Sequence, residues 1–539
     1  MKHRMGSSFC IPFIMILALT GCFGGEQGQR PEASPGMEPE AEVSGTRQPG
    51  RELTYWAELN GNAGSVRPTF MEVPFFQEWQ KRTGVRLKFI QPPANRAKEA
   101  LNVLLASGEV PDMIEYEWER FPGGPQKAIN DGFIRKLNDV IDRYAPNLKR
   151  YLQEHPEVDK QVKTAEGSYY LFPFIRDSDK LRTFQGPIIR QDWLDDLGLD
   201  VPETIEEWYS VLKAFKEKKG AEAPLSFLGV PNALQAMENG AFSGAFGVIK
   251  GFYLLDGRVK YGPLEPGYKA FIAMFRQWYK EGLIDRNIAA VDTRSLDASI
   301  LSGRSGATIW NAGAGIGTWQ PLLTAADPEA RLAGAPYPVL VKGERPFYGQ
   351  RSHYVSSGGV AISAKSDQVV KAVQMLDYGY SPEGHMFFNF GMEGVSYTMK
   401  GEYPQYTDLI LRNPDKLAPS QALAMYSRAS YFGPFVQDER YAEQYYGLPQ
   451  QREAVKLWAD TDADEHLLPP TPKTERENAE LSVIMQDVSL LVDEMSLKLI
   501  LGIEPMEAYD SYLDKIRSMR IERALEIQES ALARYNSQP

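Results

Sequence analysis

Cysteine is scarce in this chain of 539 residues, where only Cys10 and Cys22 occur. Neither lies in a CxxC pair or a Cys/His cluster. The five histidines are far apart, with no HExxH or HxH spacing. These absences argue against a structural zinc site and against the commonest zinc hydrolase layouts. We therefore expect neither a metal nor another cofactor.

Basic residues are in the minority. Lys and Arg number 59 against 71 Asp and Glu, which gives a formal net charge of −12. A general nucleic-acid-binding protein needs a basic face to neutralise phosphates, so the composition argues against that class. The chain is 43% hydrophobic and long enough for two or three packed units, which argues against extensive disorder.

The apolar run at residues 9–20 follows a short basic start and is too short to span a bilayer, but it suits the core of a signal peptide. Leu19-Thr20-Gly21-Cys22 comes directly after it and resembles a bacterial lipobox, in which cleavage precedes the cysteine and its thiol is acylated. We expect a signal peptide at 1–21 and a palmitate-type lipid on Cys22, which would anchor the chain to the extracytoplasmic face of the cell membrane. The alternative is a plain secretory signal followed by a chance cysteine.

The segment that follows is rich in Gly, Pro and Glu and has no apolar periodicity. Residues 22–51 are therefore predicted to be the lipidated cysteine and a flexible linker. A coil of this length has an r.m.s. span of about 30 Å. A body at its end can move near a membrane partner while it stays tethered.

The first part of the body alternates strand and helix patterns. Strands are predicted at 52–56, 85–89 and 111–114, and a helix that carries leucines at helical spacing is predicted at 97–105. This order favours an α/β protein with a mostly parallel sheet.

Later signals are local. Thr204 and Glu207 have the spacing of a capping box, and Asp256-Gly257 indicates a hairpin turn. An apolar strand is predicted at 358–363. The apolar stripe at 481–499 predicts a long helix near the C-terminus.

The arrangement resembles the extracellular solute-binding proteins of family 1, the lipoprotein receptors of sugar ABC importers, and within them the long LplA/LipO-type lipoproteins. The motifs that carry the likeness follow the family's order along nearly the whole chain. They are LTGC at 19–22, VPDMI at 110–114, the Trp-rich segment at 188–208, the segment at 256–285, SGRSGAT at 302–308, GGVAIS at 358–363 and AYDSYLDKI at 508–516.

The resemblance implies a two-lobed, periplasmic-binding-protein-like α/β fold (type II), with hinge strands that join the lobes and a cleft between them. The chain of such a protein crosses between lobes more than once, so each lobe is discontinuous. The implied boundaries are lobe 1 at 52–182 plus 363–395, lobe 2 at 183–353 plus 398–539, and hinges near 183–189, 354–362 and 393–398.

Candidate ligand contacts follow from position and side-chain type. Ligands of α/β lobes lie beyond the carboxyl ends of strands, and sugars stack on aromatic rings and bond to planar polar groups. Residues of these types that follow predicted strands or lie near the crossings are Trp56, Glu58, Asn60, Tyr116, Trp118, Trp310, Asn311, Tyr354 and Tyr397. Trp118 and Trp310 are expected to contribute to binding without being needed for the fold. Arg182 and Arg351 are candidates to accept an anionic sugar.

Two motifs are not interpreted as sites. The loop NAGAGIG at 311–317 lacks the Lys-Ser/Thr of a phosphate-binding loop, and its spacing departs from GxGxxG. The acidic run DTDADE at 460–465 lacks the Gly and terminal Glu of a calcium-binding EF-hand. Neither a nucleotide nor a calcium ion is therefore predicted.

The sequence thus predicts a monomeric receptor without catalysis. It would capture a carbohydrate, expected to be an oligosaccharide, by hinge closure and deliver it to ABC transporter permease subunits. An extracellular glycoside hydrolase remains an alternative, since acidic residues are plentiful, including Glu115, Glu117, Glu119 and Glu393. A ligand-sensing lipoprotein that feeds a membrane signalling partner, or a peptide receptor, also remains open.

Overall fold

The computed structural model describes residues 51–94, 96–229 and 234–538. The predicted signal peptide, Cys22 and all of the linker except Arg51 lie outside these ranges. Within them, no helix combines the length and the apolar character that a membrane span requires.

The described residues form thirteen strands, numbered β1 to β13 in chain order. The strands are Leu53–Trp56, Leu87–Ile90, Met113–Glu117, Phe172–Arg176, Gln185–Arg190, Phe252–Leu255, Arg258–Tyr261, Ala307–Asn311, Leu332–Gly334, Val355–Ile362, Tyr397–Lys400, Tyr403–Tyr406 and Phe435–Gln437.

The same ranges contain twenty-three α-helices, numbered α1 to α23. The helices are Gly61–Gly64, Pro74–Thr83, Ala97–Ser107, Gly124–Asn130, Asn138–Tyr144, Pro146–Glu154, Pro156–Gln161, Gln191–Leu197, Ile205–Lys219, Gln235–Glu238, Pro266–Glu281, Thr293–Leu301, Ile316–Ala326, Val369–Asp377, Pro382–Phe390, Asp408–Leu411, Pro419–Tyr426, Glu439–Tyr445, Pro449–Ala459, Ala463–His466, Glu475–Leu501, Tyr509–Ser518 and Ile521–Ser537.

Six strands form the large sheet, in the order β13-β4-β10-β3-β1-β2. β10 runs antiparallel to both of its neighbours, and the other pairs are parallel. The carboxyl ends of β1, β2, β3, β4 and β13 therefore share one edge of the sheet. The predicted α/β class and mostly parallel sheet are confirmed.

Alternation along the strands of the large sheet sends side chains into two separate cores. Leu53 and Tyr55 belong to the core on one face, together with the aromatic residues of α2. Trp56 and Ile114 belong to the core on the other face. The two-residue period of a strand thus decides which core each neighbouring side chain enters.

The small sheet has the order β8-β5-β9, with β5 antiparallel to both neighbours. α19 packs against β5 and β9, and its Trp458 is fully buried there. The indole Nε1 donates hydrogen bonds to the carbonyls of Pro187 and Ala335, at 3.2 and 3.0 Å. A Cβ at Gly186 would lie 2.5 Å from the Trp458 ring, so glycine permits this close packing.

Several local predictions are confirmed. The amide of Glu207 donates to the Thr204 hydroxyl, and the amide of Thr204 donates to the Glu207 carboxylate, each at 3.1 Å, which completes the capping box of α9. β6 and β7 form the predicted hairpin. Asp256 and Gly257 at its turn both have positive φ, 51° and 71°. The stripe at 481–499 lies within α21.

The chain enters the large sheet once more than the predicted boundaries allow. β13 pairs in parallel with β4, and α17 packs against α1 and α2, although 398–539 was assigned to the second lobe. β13 has three residues and is followed directly by the N-cap of α18, so it carries no recognisable periodicity. Its place in the large sheet comes from long-range pairing.

Candidate functional site

A cavity of about 280 Å³ lies where the two sheets approach each other. Arg176, Gln437 and Asn311 line it, and they are the last residues of β4, β13 and β8. The remaining lining residues are Asn62, Phe174, Lys180, Leu181, Phe184, Gly313, Ala314, Ser430, Tyr431, Phe432, Tyr441, Ala442, Tyr445 and Tyr446. The cavity thus lies at the carboxyl ends of strands from both sheets, where ligands of α/β proteins bind.

Two connections between the sheets also contribute to this cavity. Residues 177–184 run from β4 in the large sheet to β5 in the small sheet. Residues 438–448 run from β13 to α19, which packs on the small sheet. Lys180 and Tyr441 are among the lining residues that these two connections supply. A change in the angle between the sheets would therefore reshape the cavity.

Seven of the lining residues are aromatic. Tyr431 and Phe432 stack with ring centroids 4.5 Å apart and an interplanar angle of 22°. Tyr441 and Tyr445 lie at 6.1 Å and 29°. Rings of this kind offer flat apolar surface together with hydroxyl groups.

The loop that carries Tyr431 and Phe432 is held by a buried charge network. Nη2 of Arg428 lies 2.6 Å from Oε1 of Glu115, and both side chains are buried. The hydroxyl of Tyr55 also donates to Glu115. Nε of Arg428 donates to the Phe432 carbonyl at 3.1 Å. Arg428 thus ties the aromatic loop to the middle of the large sheet.

The polar groups at the strand ends are paired in space. Arg176 and Gln437 are register partners on the neighbouring parallel strands β4 and β13. Gln437 donates through its side-chain nitrogen to the Ala429 carbonyl, whereas its buried Oε1 accepts no hydrogen bond from the described residues. This oxygen can accept a hydrogen bond from a bound molecule.

The two arginines proposed for an anionic sugar have protein partners instead. Arg182 lies 2.8 Å from both Asp179 and Asp464, and Arg351 contacts the same two carboxylates at 2.8 and 2.7 Å. The ring of Tyr354 lies 4.4 Å below the Arg182 guanidinium, and its hydroxyl donates to Asp179 at 3.1 Å. This network braces the connection between the sheets.

The aspartates of the acidic run at 460–465 also form ion pairs with arginines. Asp460 and Asp462 pair with Arg345 at 3.2 and 2.7 Å, and Asp464 belongs to the network just described. Asp460, Asp462 and Asp464 of this run therefore each pair with arginine side chains.

Of the residues predicted to contact the ligand, Asn311 lines the cavity. Strand alternation turns Trp56 and Tyr116 into the core behind the large sheet, where Trp118 is also fully buried. The remaining predicted contacts do not line the cavity. Tyr397 is buried against Phe390, and Glu58, Asn60, Trp310 and Tyr354 are half-buried.

Sequence inspection missed Arg176, Gln437 and the tyrosines at 441, 445 and 446. The Tyr-rich stretch at 441–446 was the available signal. Nothing in the three residues of β13 marks the strand that precedes this stretch, so the sequence does not place it at a cavity.

Residues 63–386 match the family model described as bacterial extracellular solute-binding protein, and this match covers more than half of the chain. The chain belongs to this family. Lipoprotein LipO of Bacillus subtilis is 27% identical over 374 residues, which cover 66% of this chain and 69% of that protein. The fructooligosaccharide ABC transporter substrate-binding protein FusA of Streptococcus pneumoniae is 30% identical over 239 residues, 41% of this chain and 43% of FusA.

Solved structures of solute-binding proteins share the fold. The alginate-binding protein AlgQ2 superposes with a TM-score of 0.75 at 24% identity, over 89% of this chain and 98% of AlgQ2. FusA in complex with fructo-nystose superposes with a TM-score of 0.73 at 20% identity, over 90% of this chain and 100% of FusA. The predicted two-lobed type II fold is thereby confirmed for this solute-binding protein.

Proposed function

We propose that this solute-binding protein captures an oligosaccharide in the cavity between its sheets and delivers it to an ABC importer. The observation that carries the proposal is the set of seven aromatic rings beside the free acceptor of Gln437 and the amide of Asn311. Rings accept the apolar faces of pyranoses, and amides bond to hydroxyl groups. FusA is named for a fructooligosaccharide and AlgQ2 for alginate, which supports a carbohydrate as the solute.

The lining of the cavity favours binding over hydrolysis. A glycoside hydrolase needs two carboxyl groups that flank the scissile bond, and among the described lining residues there is no Asp or Glu. Of the acids that the hydrolase hypothesis named, Glu115 is held by Arg428 and Glu117 pairs with Arg120 at 2.6 Å. An oligosaccharide recovered unchanged after incubation with the protein supports a receptor, whereas chain cleavage would support the hydrolase.

Hinge closure would let the permease distinguish the ligand-bound receptor from the empty one. A ligand that touches residues from both sheets favours the closed arrangement through its differential affinity for that state. Asn311 and Gly313 come from the small-sheet side, and Arg176 and Tyr431 come from the large-sheet side. The closed form would be the one that the permease recognises. Loss of glycan uptake in cells that lack the protein would separate transport from signalling alone.

Tyr445→Ala is expected to weaken oligosaccharide binding by about twofold to tenfold, because the loss of a single aromatic contact costs about 0.5–1.5 kcal/mol. Tyr445 lies close to the small-sheet loop, since a Cβ at Gly313 would be 2.6 Å from its hydroxyl. Isothermal titration calorimetry would measure the change, with an oligosaccharide chosen by a thermal-shift screen.

Tyr144→Ala is the matched control, since Tyr144 is an exposed tyrosine at the end of α5 that does not line the cavity. It should leave the affinity unchanged. Equal affinities for the Tyr445 variant and the native protein would contradict the placement of the ligand. A screen in which no oligosaccharide raises the melting temperature would contradict the proposed function.

The same proposal assigns acylation to Cys22, so Cys22→Ala is expected to move the protein from the membrane fraction to the medium or soluble fraction. Two acyl chains on a diacylglyceryl cysteine give stable anchoring, and a chain without the Cys22 thiol cannot receive them. Immunoblots of fractionated cells would measure the distribution. Cys10→Ala changes the other cysteine of the chain and should leave the protein with the membrane. Equal membrane retention of both variants would refute the anchor.

A further inference from the structure

We infer that the bound saccharide carries an anionic group, a carboxylate or a sulfate, that pairs with Arg176. This inference rests on the proposed function and names its substrate class. It starts from charge: the protein has an excess of acidic residues, yet Arg176 and Lys180 are the charged residues among the described lining of the cavity, and both are basic.

The two basic residues differ in their partners. Lys180 lies 2.9 Å from Glu439 and 3.8 Å from Glu443, so its charge is balanced by the protein. No described carboxylate forms an ion pair with Arg176, whereas the neighbouring Arg182 has two. The cavity therefore carries a positive charge that the described part of the chain leaves uncompensated.

Aromatic rings hold the Arg176 guanidinium in place. Its central carbon lies 5.0 Å from the Phe174 ring centroid and 5.9 Å from that of Phe184. The backbone amide of Arg176 donates to the Tyr354 carbonyl at 2.7 Å, which fixes the end of β4. A guanidinium positioned in this way presents its donors with little loss of side-chain entropy on binding.

The charge remains available at neutral pH. The pKa of Arg176 is lowered to about 10, chiefly by burial; the positive charge of Arg182 contributes to the lowering, and Tyr441 and Tyr446 oppose it. A cation without an anionic partner in a partly desolvated site is costly to the folded protein. An anionic ligand would relieve that cost, and a neutral ligand would leave it in place.

The geometry beside Arg176 suits an acidic sugar. Gln437 is its register partner on β13, and within the described ranges nothing donates a hydrogen bond to its buried Oε1. A planar guanidinium pairs with a carboxylate through two parallel hydrogen bonds, and the neighbouring amide oxygen can accept a sugar hydroxyl. An anionic group and a hydroxyl on one saccharide would therefore satisfy both side chains together.

Calorimetry on the full mature protein would test the inference with four probes: trigalacturonate, its methyl ester, neutral galactotriose and a sulfated carrageenan tetrasaccharide. The methyl ester keeps the sugar and removes the charge. We expect one of the two anionic probes to bind about tenfold to a hundredfold more tightly than the neutral ones, as charge-assisted hydrogen bonds predict. The preferred anion would show whether the group is a carboxylate or a sulfate.

Arg176→Gln should reduce the affinity for the anionic probe to that of the neutral probes while circular dichroism stays unchanged. Arg412→Gln removes the same charge from an exposed pair on α16 and its flank and should keep the preference. Neutral oligosaccharides that bind as tightly as the anionic ones to the native protein would overturn the inference and leave the proposed function standing. If no saccharide of either kind binds, both are overturned.

Discussion

Glu115→Ala is expected to lower the free energy of unfolding by about 3–5 kcal/mol, because it leaves the buried Arg428 guanidinium without its carboxylate. Both side chains are almost fully buried, and their atoms lie 2.6 Å apart. The Tyr55 hydroxyl loses its acceptor in the same variant. Urea denaturation followed by circular dichroism would measure the change.

Arg412→Ala is the control, since it breaks an exposed pair with Asp408 one helical turn away and should cost less than about 1 kcal/mol. Replacement of Glu115 and Arg428 together by Leu should recover part of the loss, because no buried charge then remains unpaired. A Glu115 variant as stable as the Arg412 variant would show that the buried pair does not stabilise the fold.

Trp118→Ala is expected to destabilise the protein by about 3–5 kcal/mol, because it removes a fully buried indole ring from a hydrophobic core. The Trp118 ring lies 6.0 Å from both Tyr116 and Phe121, and none of it is exposed. By its position after a predicted strand, Trp118 is predicted to bind ligand without supporting the fold. Its burial leads to the opposite expectation.

The same urea titrations would decide between the two expectations. Leu490→Ala removes an exposed apolar side chain from α21 and should change the stability by less than about 0.5 kcal/mol. A Trp118 variant with native stability and weakened saccharide binding would restore the original prediction. A destabilised variant that binds the oligosaccharide normally at low temperature would separate the core role from the cavity.

The arginines near the cavity differ in their ion-pair partners and therefore in their roles. Arg182 and Arg351 share Asp179 and Asp464, so they stabilise the connection between the sheets. Arg428 forms a buried ion pair with Glu115. We propose that Arg176, which lines the cavity, pairs with the ligand. The sequence does not show which arginines form ion pairs within the protein. Most of their partners lie far away along the chain and are brought close only by the fold.

The sequence by itself determined the features that depend on near neighbours. The capping box at Thr204, the turn at Asp256-Gly257 and the helix predicted from the stripe at 481–499 follow from residues within one or two turns of each other. The order of strands and helices in the first part of the body was likewise sufficient for a parallel α/β sheet. These patterns involve residues that are close in sequence, so they can be recognised without knowledge of the tertiary contacts.

The tertiary structure alone decided which side chains face the cavity. Trp56 and Tyr116 have the right chemistry and follow or end strands, but alternation along the strand buries them in the opposite core. Arg176 and Gln437 became neighbours because two short strands pair in parallel across a large separation in sequence. Strand pairing and ion pairs between residues that are distant in sequence determine where a ligand can bind. Neither produces a recognisable pattern in a short stretch of the sequence.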